Sequence, residues 1–153
     1  MRQLLLRSVA GFALATSLSV TTSCELHQPK KSRLGATTSS RPYSPGIDLR
    51  DLVFLAGQIG QDPATGKLVA GGIEAETHQA LRNLGAVLRE AGLDYSDVVK
   101  ASVFLADIED FAAMNAVYAE YFPADGMPPV RTTVAVAALA RGSRVEIDFI
   151  AAR

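Results

Sequence analysis

The run Val145-Glu146-Ile147-Asp148-Phe149 alternates apolar and acidic residues with a period of two, and no other stretch constrains the fold as much. Successive side chains leave a strand on opposite sides, so this strand has one buried face and one that meets solvent or a partner. Val145, Ile147 and Phe149 need an apolar cover. Arg144, Glu146 and Asp148 share the opposite face.

Helices have to supply that cover, and the chain encodes two. Between Ile73 and Ala91 the residues Ile73, Ala80, Leu81, Leu84, Val87, Leu88 and Ala91 fall on one face at helical spacing, with Gly92 as the stop. A second helix, Phe111 to Phe122, is capped by Asp107 or Asp110 and closed by Pro123. Its stripe is Phe111, Met114, Val117, Tyr118 and Tyr121, with the tyrosines read as core or interface aromatics. Strands are expected at Leu52–Ala56, Val98–Leu105, Thr132–Leu139 and Arg144–Ala151, and a turn over 61–67 leads into Leu68-Val69. The order predicts an α+β domain: one mixed β-sheet with two helices on one face.

With 153 residues, 48% of them hydrophobic, the chain can bury one core. Cys24 is the lone cysteine, so no internal disulfide forms. With only His27 and His78 as further soft ligands, no metal site is expected. Residues 1–23 have a short basic start (Arg2, Arg7), then mostly apolar residues from Val9 to Val20, then Thr21-Thr22-Ser23. That is the layout of a secretory signal peptide. Small residues before Cys24 also match a bacterial lipoprotein signal, with Thr21 in place of the usual leucine. The expectation is therefore export to a bacterial periplasm, with lipidation of Cys24 as a possible membrane tether. Residues 24–40 read as a flexible linker and 41–153 as the domain.

Removing residues 1–23 takes away two arginines and no acid, which moves the net charge from −1 to −3. From residue 42 onward there are nine basic and fifteen acidic residues. The folded part lacks a basic stripe, so nucleic acid is not an expected partner. The basic tether (Lys30, Lys31, Arg33, Arg41) suits an anionic membrane surface or plain solvation.

Arg131 is the candidate for chemistry. It follows Met127-Pro128-Pro129-Val130 and opens a strand, so its guanidinium has few conformations left and offers a planar fork to a carboxylate. A surface ion pair is the alternative. If Arg141-Gly142 centres a hairpin, Glu146 pairs near Ala137 and lies roughly 20 Å from Arg131 at strand rise. On that register both fall on the helix-free face, beside Thr133 and Ala135. They would then meet only across subunits.

Several stretches resemble the RidA (YjgF-type) enamine/imine deaminases: Pro42-Tyr43-Ser44, Ala56-Gly57-Gln58-Ile59 with Asp62-Pro63, Asp110-Phe111 through Asn115, Tyr118 to Phe122, Arg131-Thr132-Thr133 and Val145-Glu146-Ile147. The similarity runs over about residues 41–152. It implies a chorismate-mutase-like fold, a homotrimer with sites at subunit interfaces, and cofactor-free hydrolysis of 2-enamino or 2-imino acids to 2-keto acids and ammonia. On that pattern Arg131 holds the substrate carboxylate and Glu146 positions or activates water. Tyr43, Gly57, Asn115 and Thr133 line the site. Pro45-Gly46, Ala56, Gly60 and Thr133 depart from the commoner residues (Gln-Ala, Ser, Pro, and Cys or Ser). The alternative function is a non-catalytic trimeric module that binds small carboxylates.

Overall fold

A computed structural model describes residues 30–35, 42–122, 124 and 126–153. The expectations for residues 1–23 and for Cys24 lie outside the described residues.

Among the described residues six strands and two α-helices follow in chain order: β1 (Ser32–Leu34), β2 (Gly46–Asp48), β3 (Leu52–Ile59), α1 (Gly72–Glu90), β4 (Val98–Leu105), α2 (Phe111–Tyr121), β5 (Val130–Ala135) and β6 (Val145–Ala152). The strands form one six-stranded sheet in the order β1-β2-β3-β6-β4-β5. All neighbours are antiparallel except β4 and β5, which run parallel. A parallel pair cannot be joined by a tight turn, and α2 provides the required crossover.

The apolar stripes of the sequence build the core. Ala80, Leu81, Leu84 and Leu88 of α1 are fully buried, as are Val53, Val103, Val145 and Ile147 of the sheet and Met114 of α2. In β6 the expected alternation holds, with Val145, Ile147, Phe149 and Ala151 buried and the residues between them half-buried. Helix α1 ends as its sequence demands. Gly92 takes φ +73, and the Gly92 and Leu93 amides donate to the carbonyls of Arg89 and Leu88. This pairs two carbonyls that the helix end would otherwise leave unsatisfied.

Two sequence expectations are corrected. β1 falls inside the stretch read as a linker, and Leu34 is buried in the core, so the sheet begins before Arg41. The hairpin between β5 and β6 does not form either, because β4 lies between them and pairs with both. Arg141 and Gly142 do turn the chain, with φ +61 and +73. The turn feeds β6 into the middle of the sheet instead of alongside β5.

Candidate active site

That strand order changes where the two candidate charges point. Glu146 sits beside Phe104 of β4 on the helix-free face. Arg131 sits beside Ala101, and Ala101 sits beside the core residue Phe149. Arg131 and Thr133 therefore leave the sheet on the helix-covered side, which corrects the expectation that they share a face with Glu146. Three residues of offset and two strand spacings put the two Cα atoms roughly 14 Å apart, with side chains leaving opposite faces. Within one subunit they cannot close on one small molecule.

Each charge nevertheless has a built environment. Around Glu146 a cavity of about 480 Å³ is lined by Tyr43, Ala56, Gly57, Gln58, Ile59, Gln61, Ala140 and Arg141. β3 bends here. Leu55 pairs with Phe149 and Gln58 with Ile147, so one extra residue is inserted in β3. Such a bulge kinks the strand and re-aims its backbone, and Ala56-Gly57 occupies it. A side chain at position 57 would have its Cβ 2.9 Å from Glu146 Cδ and closer still to Oε1. Only glycine lets the Glu146 carboxylate lie against the β3 backbone.

The approach to β6 is held by buried acids that sequence reasoning missed. Glu76, 6% exposed, accepts a bond from the Arg144 amide at 2.8 Å. Its chain runs under Gly60, where an added Cβ would lie 2.5 Å from Glu76 Cα. The Arg144 side chain does not join Glu146. Instead it grips Asp110 at both carboxylate oxygens, at 2.9 and 2.8 Å. The bond to Asp110 raises the Arg144 pKa further above its ordinary value. The signal available in the sequence was the i−34 spacing of two opposite charges, which means nothing until β6 and α2 are placed together.

On the other side, Arg131 Nη2 donates to Asn115 Oδ1 at 2.7 Å. Its guanidinium carbon stands 4.5 Å from the Tyr118 ring centre and 5.8 Å from that of Phe111. Thr133 Oγ1 and Tyr118 Oη are buried with no hydrogen-bond partner among the described residues. Of the sequence candidates, Tyr43, Gly57 and Glu146 thus gather in one cavity, and Arg131, Asn115 and Thr133 belong to a second group around β5 and α2. Among the described residues no cluster of three His, Cys, Asp or Glu could hold a metal ion. The chemistry at hand is that of the Glu146 carboxylate with the Arg141 guanidinium in the same cavity, the Arg131 guanidinium in the second group, hydroxyls and backbone amides.

The family described as endoribonuclease L-PSP matches residues 34–153. The mouse 2-iminobutanoate/2-iminopropanoate deaminase is 48% identical over 110 residues, which is 72% of this chain and 80% of that protein. The chain belongs to this family, the RidA (YjgF-type) proteins that its motifs resemble. The crystal structure of the YjgF gene product from E. coli is 38% identical with a TM-score of 0.71, covering 75% of this chain and 91% of that one. The structure of E. coli TdcF with bound serine is 34% identical with a TM-score of 0.74, covering 80% and 98%. The expected fold, one mixed sheet with two helices on one face, is the fold of these neighbours.

Proposed function

We propose that this protein hydrolyses reactive 2-enamino and 2-imino acids to 2-keto acids and ammonia, at sites completed between subunits of a homotrimer. The observation that carries the reading is the pairing of two half-sites of opposite charge on opposite faces of one sheet. One half places a carboxylate in an open cavity, and the other holds a guanidinium of whose five N–H donors one is hydrogen-bonded among the described residues. The mouse relative is named for the same chemistry on 2-iminobutanoate and 2-iminopropanoate. The helix-free face supports assembly, because Leu52, Phe54 and Val134 are each about 40% exposed there and a second copy would cover them.

The residue types suit the reaction. Arg131 takes the substrate carboxylate through a two-pronged charge-assisted pair, which fixes the imine carbon in place. Glu146 of the neighbouring copy orients a water toward that carbon and accepts its proton as the C–O bond forms. The C=N π pair moves to nitrogen, which takes up the proton held by Glu146. The resulting carbinolamine collapses when the hydroxyl proton passes to nitrogen and the C–N bond breaks, leaving the keto acid and ammonia. An enamine first gains a proton on its β-carbon from water and returns one from its nitrogen, which gives the imine, and then follows the same course. Tyr43, Gly57, Asn115 and Thr133 line the two halves, and Thr133 supplies a hydroxyl where other members carry a thiol or hydroxyl.

The test is keto acid release from imines made in situ by an amino-acid oxidase. The protein should accelerate release over buffer, and Arg131→Ala should lower kcat/KM by roughly 100-fold or more. A folded oligomer that accelerates none of several imino acids would leave a carboxylate-binding module as the better account.

Residues 1–23 are proposed to direct export, with Cys24 carrying a lipid. The basic start, the apolar run and the small residues before the lone cysteine support this. The mature chain would then begin at Cys24 with an acyl mass increment, and Cys24→Ser would release it from membranes. A full-length chain recovered from the cytosol would end that idea.

A further inference from the structure

The Arg131 environment contains a residue pattern that the reaction scheme above does not use. Phe111, Asn115 and Tyr118 stand at i, i+4 and i+7 of α2, so they form one stripe on that helix. All three touch the same guanidinium: Asn115 through a 2.7 Å hydrogen bond, Tyr118 with its ring 4.5 Å away, and Phe111 with its ring at 5.8 Å. Tyr118 is 5% exposed, so its share of the contact is made largely out of water, where a cation over a ring face is strongest. Its hydroxyl has no partner among the described residues. The ring, not the hydroxyl, therefore accounts for the contact.

We propose that Tyr118 is a positioning residue for the carboxylate clamp. Its ring face and Asn115 Oδ1 together set the plane of the Arg131 guanidinium, and Phe111 closes the outer side. Among the described residues Arg131 stands on an edge strand with a ladder on one side only, and backbone pairing leaves a four-bond side chain free to swing. Asn115 fixes one nitrogen but permits rotation about that bond. A ring at 4.5 Å removes the rotation, so the remaining N–H edge faces outward in one orientation. Substrate then meets a fork whose side-chain entropy has already been lost, and this raises affinity for the carboxylate without any new contact. Tyr118 touches no reacting atom and acts through Arg131 alone.

This inference rests on the assignment of Arg131 as the carboxylate site, and the experiment separates the two. Tyr118→Leu and Tyr118→Phe are compared with the wild type for imine hydrolysis, and for binding of 2-oxobutanoate by calorimetry, which needs no turnover. Tyr118→Phe keeps the ring and should stay within about twofold of wild type. Tyr118→Leu should raise KM and the 2-oxobutanoate Kd about tenfold with kcat nearly unchanged. In an Arg131→Ala background the same change should have no further effect on either constant. If Tyr118→Leu does not fold, Phe111→Leu on the exposed side of the stripe should give a smaller rise in KM and Kd, of about twofold to threefold. Equal losses from Tyr118→Leu with and without Arg131, or unchanged constants, would overturn the positioning role. Failure of wild type to bind 2-oxobutanoate or hydrolyse any imine would instead overturn the clamp itself.

Discussion

Glu146 and Arg131 are both strand residues, yet they are held by different means. Glu146 lies on β6, which has β3 on one side and β4 on the other, so two ladders fix its backbone. Its carboxylate rests on the bare backbone of Gly57. Arg131 lies on β5, paired on one side only among the described residues, and its orientation comes from three side chains of α2. Backbone geometry therefore places the acid, and side-chain packing places the cation. Changes at glycines and bulges should damage one half of the site, and changes on α2 should damage the other.

The largest effect expected from this division comes from mixing. Arg131→Ala and Glu146→Gln should each be nearly inactive as pure proteins. Co-refolded in equal amounts, they should recover about a quarter of wild-type activity, because one interface in four pairs an intact arginine half with an intact acid half. No recovery from well-mixed oligomers would mean that both residues serve one subunit's own site, or that they do not act together.

A smaller effect should follow from Gly57→Ala. The added Cβ must displace the Glu146 carboxylate, so kcat should fall roughly 100-fold while KM changes little. The melting temperature should barely move, since the group displaced is the end of a flexible side chain. A kcat within about twofold of wild type would show that catalysis does not need Glu146 against this backbone.

The smallest effect distinguishes the halves by pH. Burial pushes the Tyr118 hydroxyl up to about 12, and Tyr95 likewise to about 12. An unfolded tyrosine loses its proton near pH 10. Each residue's contribution is therefore whole below that pH and is lost as pH rises from about 10 toward 12. Tyr118→Phe should flatten part of this alkaline decline in urea midpoint, and a Glu146→Gln protein should decline as wild type does. Identical profiles for Tyr118→Phe and wild type would show that the hydroxyl is not desolvated as the packing implies.

The locally encoded parts of the fold could be read without the structure. The bounds of β4 agree with the sequence reading, α1 is displaced by one residue at each end, and the inward residues of β6 are those its alternation names. Periodicity, capping and turn residues act over a few positions, and a sequence displays them directly. The bulge at Ala56-Gly57 was not legible as a bulge, because it exists only relative to Phe149 and Ile147 across the ladder. Glu76 and Asp110 looked like ordinary helix acids until β6 brought the Arg144 amide and guanidinium to them.

By itself, then, the sequence determined the element types, the apolar stripes and the chemical identity of the candidate acid, the candidate cation and the glycine that lies against the acid. Tertiary structure alone decided that β4 separates β5 from β6, and with it the face on which Arg131 stands. The reason is the two-residue period of a strand. Shifting register by one position, or changing the neighbour that sets it, turns every side chain to the other side, and no local pattern in Thr132-Thr133-Val134-Ala135 records which neighbour it will have.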